Sequence, residues 1–286
     1  MYVLIKIKQL KPYYKLYKNW VYVLYSIYRQ NDKIKLKLRS GAIEDMELKD
    51  VFDYTFKNYY YITGGYMKIN NLKIKLNEGN TDIYNGDIGA TFIREDYKWL
   101  KPSNHVIIDI GANVGDTPIY FISKGATKVI ALEPFPYSYR LAKENILNNG
   151  YNDKIVLLNA GYGKDSEVNV EDKLTGTGDE LTPSKEGGIK IKVFSMKTLL
   201  DTYNLNSALL KMDCEGCEYN LLREDSNTLK KFKRIQIEYH YGYEKLKEKL
   251  EEAGFTVTYS KPARGFNKDA TEQNMLIGYI YAKLGV

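Results

Sequence analysis

Hydrophobic and polar positions follow two different rhythms along this chain, and the change falls near residue 100. Before it, the texture is mixed. Lys11 to Gln30 reads as a helix rich in Tyr and Lys and opened by Pro12. Lys33 to Arg39 (Lys-Ile-Lys-Leu-Lys-Leu-Arg) alternates strictly, the mark of a half-exposed strand, and Gly41 ends it. Glu44 to Asn58 reads as a helix with Met46, Leu48, Val51, Phe52 and Phe56 as its apolar positions. Tyr66 to Leu76 reads as a hairpin turning at Asn70-Asn71.

From His105 onward, strands alternate with helices. Val106–Ile110 is a continuous apolar run, as expected of a strand covered on both faces. The helix at Thr117–Lys124, the strand at Lys128–Leu132, the helix at Tyr137–Asn148 and the strand at Lys154–Leu158 follow. Next come a helix around Met196–Tyr203 and strands at Leu209–Met212 and Arg234–Tyr239. A helix at Tyr243–Ala253 precedes two final strands, Phe255–Tyr259 and Asn274–Ala282. No helix-length segment separates those two, so they are expected to run antiparallel. The pattern predicts an α/β fold with a mainly parallel, doubly wound sheet over 101–286 and an N-terminal α+β extension over 1–100. Lys173 to Gly188, rich in Gly, Thr, Ser and charge, is expected to be a mobile loop.

Composition changes this picture little. With 286 residues, 44% hydrophobic and 27% charged, the chain can bury a sizeable core without metals or disulfides. A net charge of +6 mildly favours acidic partners without choosing among phosphates, nucleic acid and anionic membranes. Tyrosine is abundant, at 27 residues, and suits interfaces, sugar platforms and membrane boundaries as well as plain compositional bias. Met1 to Gln9 lacks the long apolar core of a secretory signal. Trp20 to Tyr28 is far short of the roughly 20 apolar residues that span a bilayer. A cytoplasmic protein is therefore expected, in keeping with only two cysteines.

The strongest chemical signal follows the first parallel strand, where a ligand of such a sheet is expected to sit. The run is Asp109-Ile-Gly-Ala-Asn-Val-Gly115. It is not the dinucleotide fingerprint: the middle glycine position falls on Asn113 and the last on Asp116. Carboxylates at Asp109 and Asp116 are a poor setting for a pyrophosphate and suit a ligand with an ammonium and a sulfonium. Glu133 closes the next strand about 20 residues on, where an acid takes ribose hydroxyls. That combination points to S-adenosyl-L-methionine rather than NAD.

The blocks Asp-Ile-Gly-Ala-Asn-Val-Gly-Asp (109–116), Ala-Leu-Glu-Pro-Phe-Pro (131–136), Leu-Asn-Ala-Gly (158–161) and Leu-Lys-Met-Asp-Cys-Glu-Gly-Cys-Glu (210–218) resemble the FkbM family of class I methyltransferases. The resemblance implies a Rossmann-like seven-stranded sheet with an antiparallel last strand. It implies S-adenosyl-L-methionine as cofactor, leaving as S-adenosyl-L-homocysteine, and a hydroxyl acceptor on a sugar or other small molecule. By position it implies that Asp109, Gly111, Ala112, Asn113, Gly115 and Asp116 flank the methionine moiety. Glu133, with Pro134 beside it, meets the ribose, and Asn159 and Ala160 lie beside adenine. Many relatives have Asp where Asn159 stands. They commonly have small or apolar residues where Cys214 and Cys217 stand.

Transfer to a hydroxyl needs an oxygen about 3 Å from the methyl carbon and a group to take its proton. The candidates close the fourth and fifth strands: Asp213 (also a cofactor contact), Glu215, Glu238 and His240, with Glu218 beside them. His240 leads because an ordinary imidazole titrates near neutrality. Capping of the next segment is the structural alternative for Asp213 and Glu215, and packing is the alternative for His240. His105 lies at the wrong end of the sheet. Asp213, Glu215, Glu238 and His240 can also be arranged around magnesium, but no metal is expected. Cys214 and Cys217 are expected to pack as small soft residues, with a disulfide as the alternative.

Residues 11–30 interleave aromatics with lysines. They fit a peripheral membrane contact, a nucleic-acid or glycan surface, or a helix packed on the catalytic domain or a second subunit. The leading expectation is O-methylation of a sugar, glycan or small molecule. An RNA methyltransferase and a non-catalytic cofactor-binding or membrane-attached scaffold are the competitors. The chain lacks an Asp-Pro-Pro-Tyr-like signature and an obvious RNA-binding module, so nucleic acid ranks lower.

Overall fold

The structure is a computed structural model and describes residues 9–62, 65–76, 86–172, 181, 184, 187–264 and 275–285. The chain divides into two compact units, Met1–Glu95 and Asp96–Val286.

The first unit begins with α1 (Leu10–Leu16) and α2 (Trp20–Tyr28) where one helix was expected. Three contacts break it. Tyr17 is extended and bridges to Leu38. The Lys18 amide donates to the Lys37 carbonyl. The Asn19 side chain donates to the Lys35 carbonyl at 2.8 Å and accepts from the Lys37 amide at 2.9 Å. Those backbone groups belong to β1 (Lys33–Lys37), whose buried Ile34 and Leu36 follow the expected alternation. A second correction concerns Glu44–Asn58. Its first residues form β2 (Ile43–Glu47), paired antiparallel with β1, and only then α3 (Leu48–Tyr60). Pairing satisfies the β1 edge, which outweighs the helical pattern of so short a stretch. Next, β3 (Tyr61–Ile62), β4 (Tyr66–Ile69) and β5 (Leu72–Lys75) form a small sheet. The turn between β4 and β5 has Asn70 in the left-handed region, at the expected hairpin.

The second unit opens with a 3-10 turn, Asp96–Leu100, a stretch read from the sequence as the end of the extension. Then follow β6 (Val106–Ile110), α4 (Asp116–Ser123), β7 (Lys128–Leu132), α5 (Pro136–Asn148) and β8 (Ile155–Leu158). After β8 come β9 (Ala160–Tyr162), β10 (Ser166–Val170), β11 (Ile189–Phe194), α6 (Met196–Thr202) and β12 (Ala208–Met212). The chain ends with α7 (Ser226–Leu229), β13 (Phe232–Tyr239), α8 (Glu244–Glu252), β14 (Phe255–Tyr259), β15 (Ala263–Arg264) and β16 (Leu276–Leu284). The main sheet has the order β14-β16-β13-β12-β6-β7-β8, with short β15 added to β16. The five strands from β13 to β8 run parallel, and β16 is antiparallel to both β13 and β14. This is the expected α/β Rossmann-like, seven-stranded sheet with an antiparallel last strand.

One small sheet, β10-β11-β9, was not expected. The run Ile189-Lys-Ile-Lys-Val193 alternates as a half-exposed strand does, and only Ile191 and Val193 are buried. Most of the expected mobile loop at Lys173–Gly188 lies outside the described residues.

The apolar core lies under the main sheet, where Ile108, Ile130, Leu210, Ile235, Ile237 and Ile280 are buried among one another. Covering both faces explains why β6, β7 and β12 read as continuous apolar runs. It also carries the carboxyl ends of all five parallel strands to one edge of the unit.

Candidate active site

The loop after β6 is built by contacts that leave no room for side chains. Gly111 has φ +81°, and a Cβ there would sit 1.8 Å from the Asp213 carbonyl oxygen. The Asp213 amide in turn donates to the Ile110 carbonyl at 3.1 Å, stitching β12 to the loop. The Gly111 and Ala112 amides both donate to the Leu132 carbonyl. Asn113 adopts φ 43°, and Gly115 at φ +83° starts α4 against Ala142.

Asp109 lies beneath the loop, at the end of β6. It is fully buried, 3.1 Å from the Lys211 ammonium, and its other oxygen accepts from the Thr117 hydroxyl at 2.6 Å. The register pairs Asp109 directly with Lys211 across β6 and β12. The Lys211 Nζ also donates to the Gly111 carbonyl at 2.6 Å. Burial works against the charged lysine, but Asp109 and its neighbours hold the Lys211 pKa above its usual value. Asp109 therefore braces the loop from beneath, and its charge is answered inside the protein. The sequence signal for Lys211 is a lysine inside a strand otherwise built of Ala, Leu and Met, which points to a buried partner. Asp116, in the first turn of α4, is buried as well.

Glu133 stands at the end of β7. One of its oxygens accepts from the Asn113 amide at 2.8 Å and the other from the Phe135 amide at 2.9 Å. Each oxygen keeps lone-pair capacity for a further donor. Burial raises its pKa to about 7 against those two hydrogen bonds. The Asn159 side-chain nitrogen donates to the carbonyls of Glu133 and Pro134, both at 2.9 Å. Its oxygen is left as its acceptor. Ala160 opens β9, buried, with its amide on the Glu133 carbonyl at 3.2 Å.

The second half of the site closes β12 and β13. The Tyr97 hydroxyl donates to Asp213 at 2.6 Å, and the pair sits beside the glycine loop. His240 lies between two carboxylates: its Nδ1 is 3.0 Å from Glu218 and its Nε2 is 3.0 Å from Glu215. Burial disfavours the charged ring, but hydrogen bonds and charge from Glu215 and Glu218 outweigh it and push the pKa up to about 11. The near-neutral pKa expected of His240 does not hold. Held between these two carboxylates, the ring is an imidazolium at neutral pH. Asp213, Glu215 and His240 each present one potential ligand atom, all within 4.8 Å of one another. The imidazolium itself supplies the positive charge among these carboxylates.

Glu218 is fully buried and clamps the loop: it accepts from the His240 amide at 3.0 Å and the Gly216 amide at 2.9 Å. Burial and the charge of Asp213 hold the Glu238 pKa well above the carboxylate range, with Tyr279 hydrogen-bonded to it. Glu238 is thus a weaker acid than an ordinary glutamate. Cys214 and Cys217 form a disulfide, correcting the expected packed thiols. The left-handed pair Glu215 (φ 52°) and Gly216 (φ 101°) turns the backbone so that the two Cα atoms stand 5.4 Å apart, within bridging reach. Tyr97 and Tyr279 carried no readable signal, since each follows from tertiary neighbours. His105, on the amino-terminal side of β6, donates from Nδ1 to the Ser103 carbonyl at 2.8 Å.

The groups at the mouth of the strands are acceptors: Glu133, the Asn159 oxygen, Asp213 and Glu215. The nearest buried cations, Lys211 and His240, are engaged internally. Such a set suits a ligand that brings hydroxyls and positive charge, and it does not suit a pyrophosphate.

Among solved structures, the chain is similar to M. jannaschii TYW2 in complex with AdoMet, at 17% identity, over 78% of this chain and 87% of that one, with a TM-score of 0.41. It is also similar to Trm5b from Pyrococcus abyssi, at 13% identity, over 88% of this chain and 63% of that one, with a TM-score of 0.43. No curated protein matches it. Residues 109–257, which carry the glycine loop, Glu133 and the clamp around His240, match the methyltransferase FkbM domain, and the chain belongs to that methyltransferase family.

Proposed function

We propose that the protein is an S-adenosyl-L-methionine-dependent O-methyltransferase acting on a hydroxyl of a sugar, glycan or other small molecule. The observation that carries this reading is the acceptor-rich mouth beside the glycine loop. Glu133 has lone-pair capacity for ribose hydroxyls, and Asn159 has an oxygen for an amino group such as that of adenine. The acids at Asp213 and Glu215 favour a positively charged sulfur. The cofactor supplies an electrophilic methyl when bound. Isothermal titration tests the assignment: Glu133→Ala should weaken cofactor binding by about 10-fold or more, the worth of a charge-assisted hydrogen bond lost. Unchanged affinity would remove Glu133 from the ribose.

Within this reading, Asp213 takes the acceptor proton. His240 holds its proton at neutral pH, burial raises the Glu238 pKa, and Glu215 is committed to the imidazolium. The Tyr97 hydroxyl fixes one Asp213 oxygen and orients the other. Asp213→Asn is expected to lower kcat by about 10²–10⁴-fold, the usual worth of a general base. Cofactor affinity should fall as well, because one acid facing the sulfonium is lost, but by less than kcat falls. Full turnover in this variant would move the role to Glu215. Labelled-methyl transfer onto sugar, glycolipid and RNA fractions identifies the acceptor class. Incorporation into RNA alone would overturn the small-molecule reading.

A further inference from the structure

The break at Tyr17–Asn19 explains why residues 11–30 show no clean amphipathic pattern as a single helix. Each half has its own inward face. Tyr13 and Tyr17 are buried in the first half, and Val23, Ser26 and Ile27 in the second. What remains outside is a defined patch. Along α2, Val21 is 60% exposed, Tyr22 45%, Tyr25 59% and Tyr28 68%. At 100° per residue these four occupy an arc of about 120°. The helix that presents them, Trp-Val-Tyr-Val-Leu-Tyr-Ser-Ile-Tyr, has no charged residue. Tyr14, half exposed, extends the patch by packing edge-on against Trp20, with ring centroids 6.1 Å apart.

Within residues 9–31 the charge has one sign, and exposed Asp32 is the first acid beyond α2. Residues 9–31 contain Lys11, Lys15, Lys18 and Arg29, all exposed, and no acid. Lys18 and Arg29 flank the two ends of α2. Lys15 and Arg39 lie 5.7 and 5.3 Å from the Tyr14 ring centre. The exposed lysines of β1 are different: Lys33 and Lys35 face Glu47 and Asp45 across the ladder.

We propose that this face docks on an anionic lipid surface. Amphipathic rings with an aliphatic side chain among them and cations at the rim match a headgroup boundary, where tyrosine sits with its ring in the apolar layer and its hydroxyl in water. A nine-residue helix lies on such a surface and does not cross it. No helix among the described residues is long and apolar enough to cross a membrane. A nucleic acid fits less well, because the centre of the patch offers its phosphates no cation. A second copy in twofold contact would bring like-charged rims together.

The test uses the full chain sedimented with vesicles of phosphatidylcholine alone or with about one-third phosphatidylserine. Binding should appear on the anionic vesicles and fade with added salt. Replacing Lys18 and Arg29 by Gln should lower the partition coefficient by about 30-fold. Tyr22→Ser, Tyr25→Ser and Tyr28→Ser together should abolish binding, with the melting temperature unchanged because these side chains are exposed. No partition onto the anionic vesicles, or partition indifferent to both sets of substitutions, overturns the proposal. So does a stable dimer that the serine variant dissolves, or tRNA binding that needs the same tyrosines and exceeds the binding to vesicles.

Discussion

Lys211→Met should destabilise the protein by about 3–5 kcal/mol, the penalty for leaving a buried charge without its partner. Lys211 and Asp109 are both essentially inaccessible, at 1% and 0% side-chain exposure. Removing the ammonium strands the Asp109 carboxylate among β6, β12 and α4, with the Thr117 hydroxyl as its remaining close partner. The variant also loses the bond from Lys211 to the Gly111 carbonyl, so the loop loses its anchor from below. Urea unfolding gives the stability, and titration with the cofactor gives the second readout. Adding Asp109→Asn to Lys211→Met should restore a large part of the stability, because a neutral amide can be buried at lower cost. The double variant should not restore cofactor affinity, which depends on the loop's shape. A single variant as stable as the parent would show that the ion pair is not needed for the fold.

The second large effect is on the pH dependence of stability. Glu133 titrates at about 7 in the folded protein against 4.5 for an ordinary glutamate. His240 titrates at about 11 against 6.5. Both pKa values are raised, so between each pair of values the folded state binds more protons than the unfolded chain. Stability then falls as pH rises. The Glu133 contribution is complete below pH 4.5 and gone above about 7. The His240 contribution is complete below 6.5 and gone above about 11. Glu238, whose pKa is also raised, adds in the same direction. At about 1.4 kcal/mol per pH unit for each group, unfolding free energy should drop by about 3–5 kcal/mol between pH 5 and pH 8. Asp165 works in the opposite sense. Slight desolvation works against its charge, but hydrogen bonds from Ser195 and Thr198 outweigh it and lower its pKa from 3.8, so the effect of this exposed group is confined to more acid solutions. Urea midpoints at pH 5, 6.5 and 8 measure the slope. Glu133→Gln should flatten the lower half of the window and His240→Gln the upper half. A stability that rises from pH 5 to 8 would show that these two sites do not hold their protons as the geometry requires.

These two results bear on the proposed chemistry. A cationic His240 leaves the carboxylates to handle the acceptor's proton and gives the site a fixed positive charge at its back. The same ring ties the loop after β12 to the end of β13 through Glu218 and Glu215. Loss of the imidazole would therefore act first on the shape of the site.

The sequence by itself determined the α/β class, the placement of the main parallel strands, and the glycine loop with Glu133 about 20 residues on. These are local features. An apolar run of five residues buried on both faces, a glycine that must take positive φ, and an acid closing the next strand are each written within a few neighbouring positions. The tertiary structure decided what depends on partners distant in the chain. β1 split the N-terminal helix in two and recruited β2 as its own partner, because exposed backbone groups of a strand must be paired. Strand register brought Lys211 beside Asp109 and gave the acid a bracing role under the loop. Packing of β13 against the loop after β12 enclosed His240 between Glu215 and Glu218 and pushed its pKa up to about 11. The residue types that carry the chemistry were thus legible in the sequence, while their protonation states and the directions they face follow from burial and from neighbours up to 116 positions away.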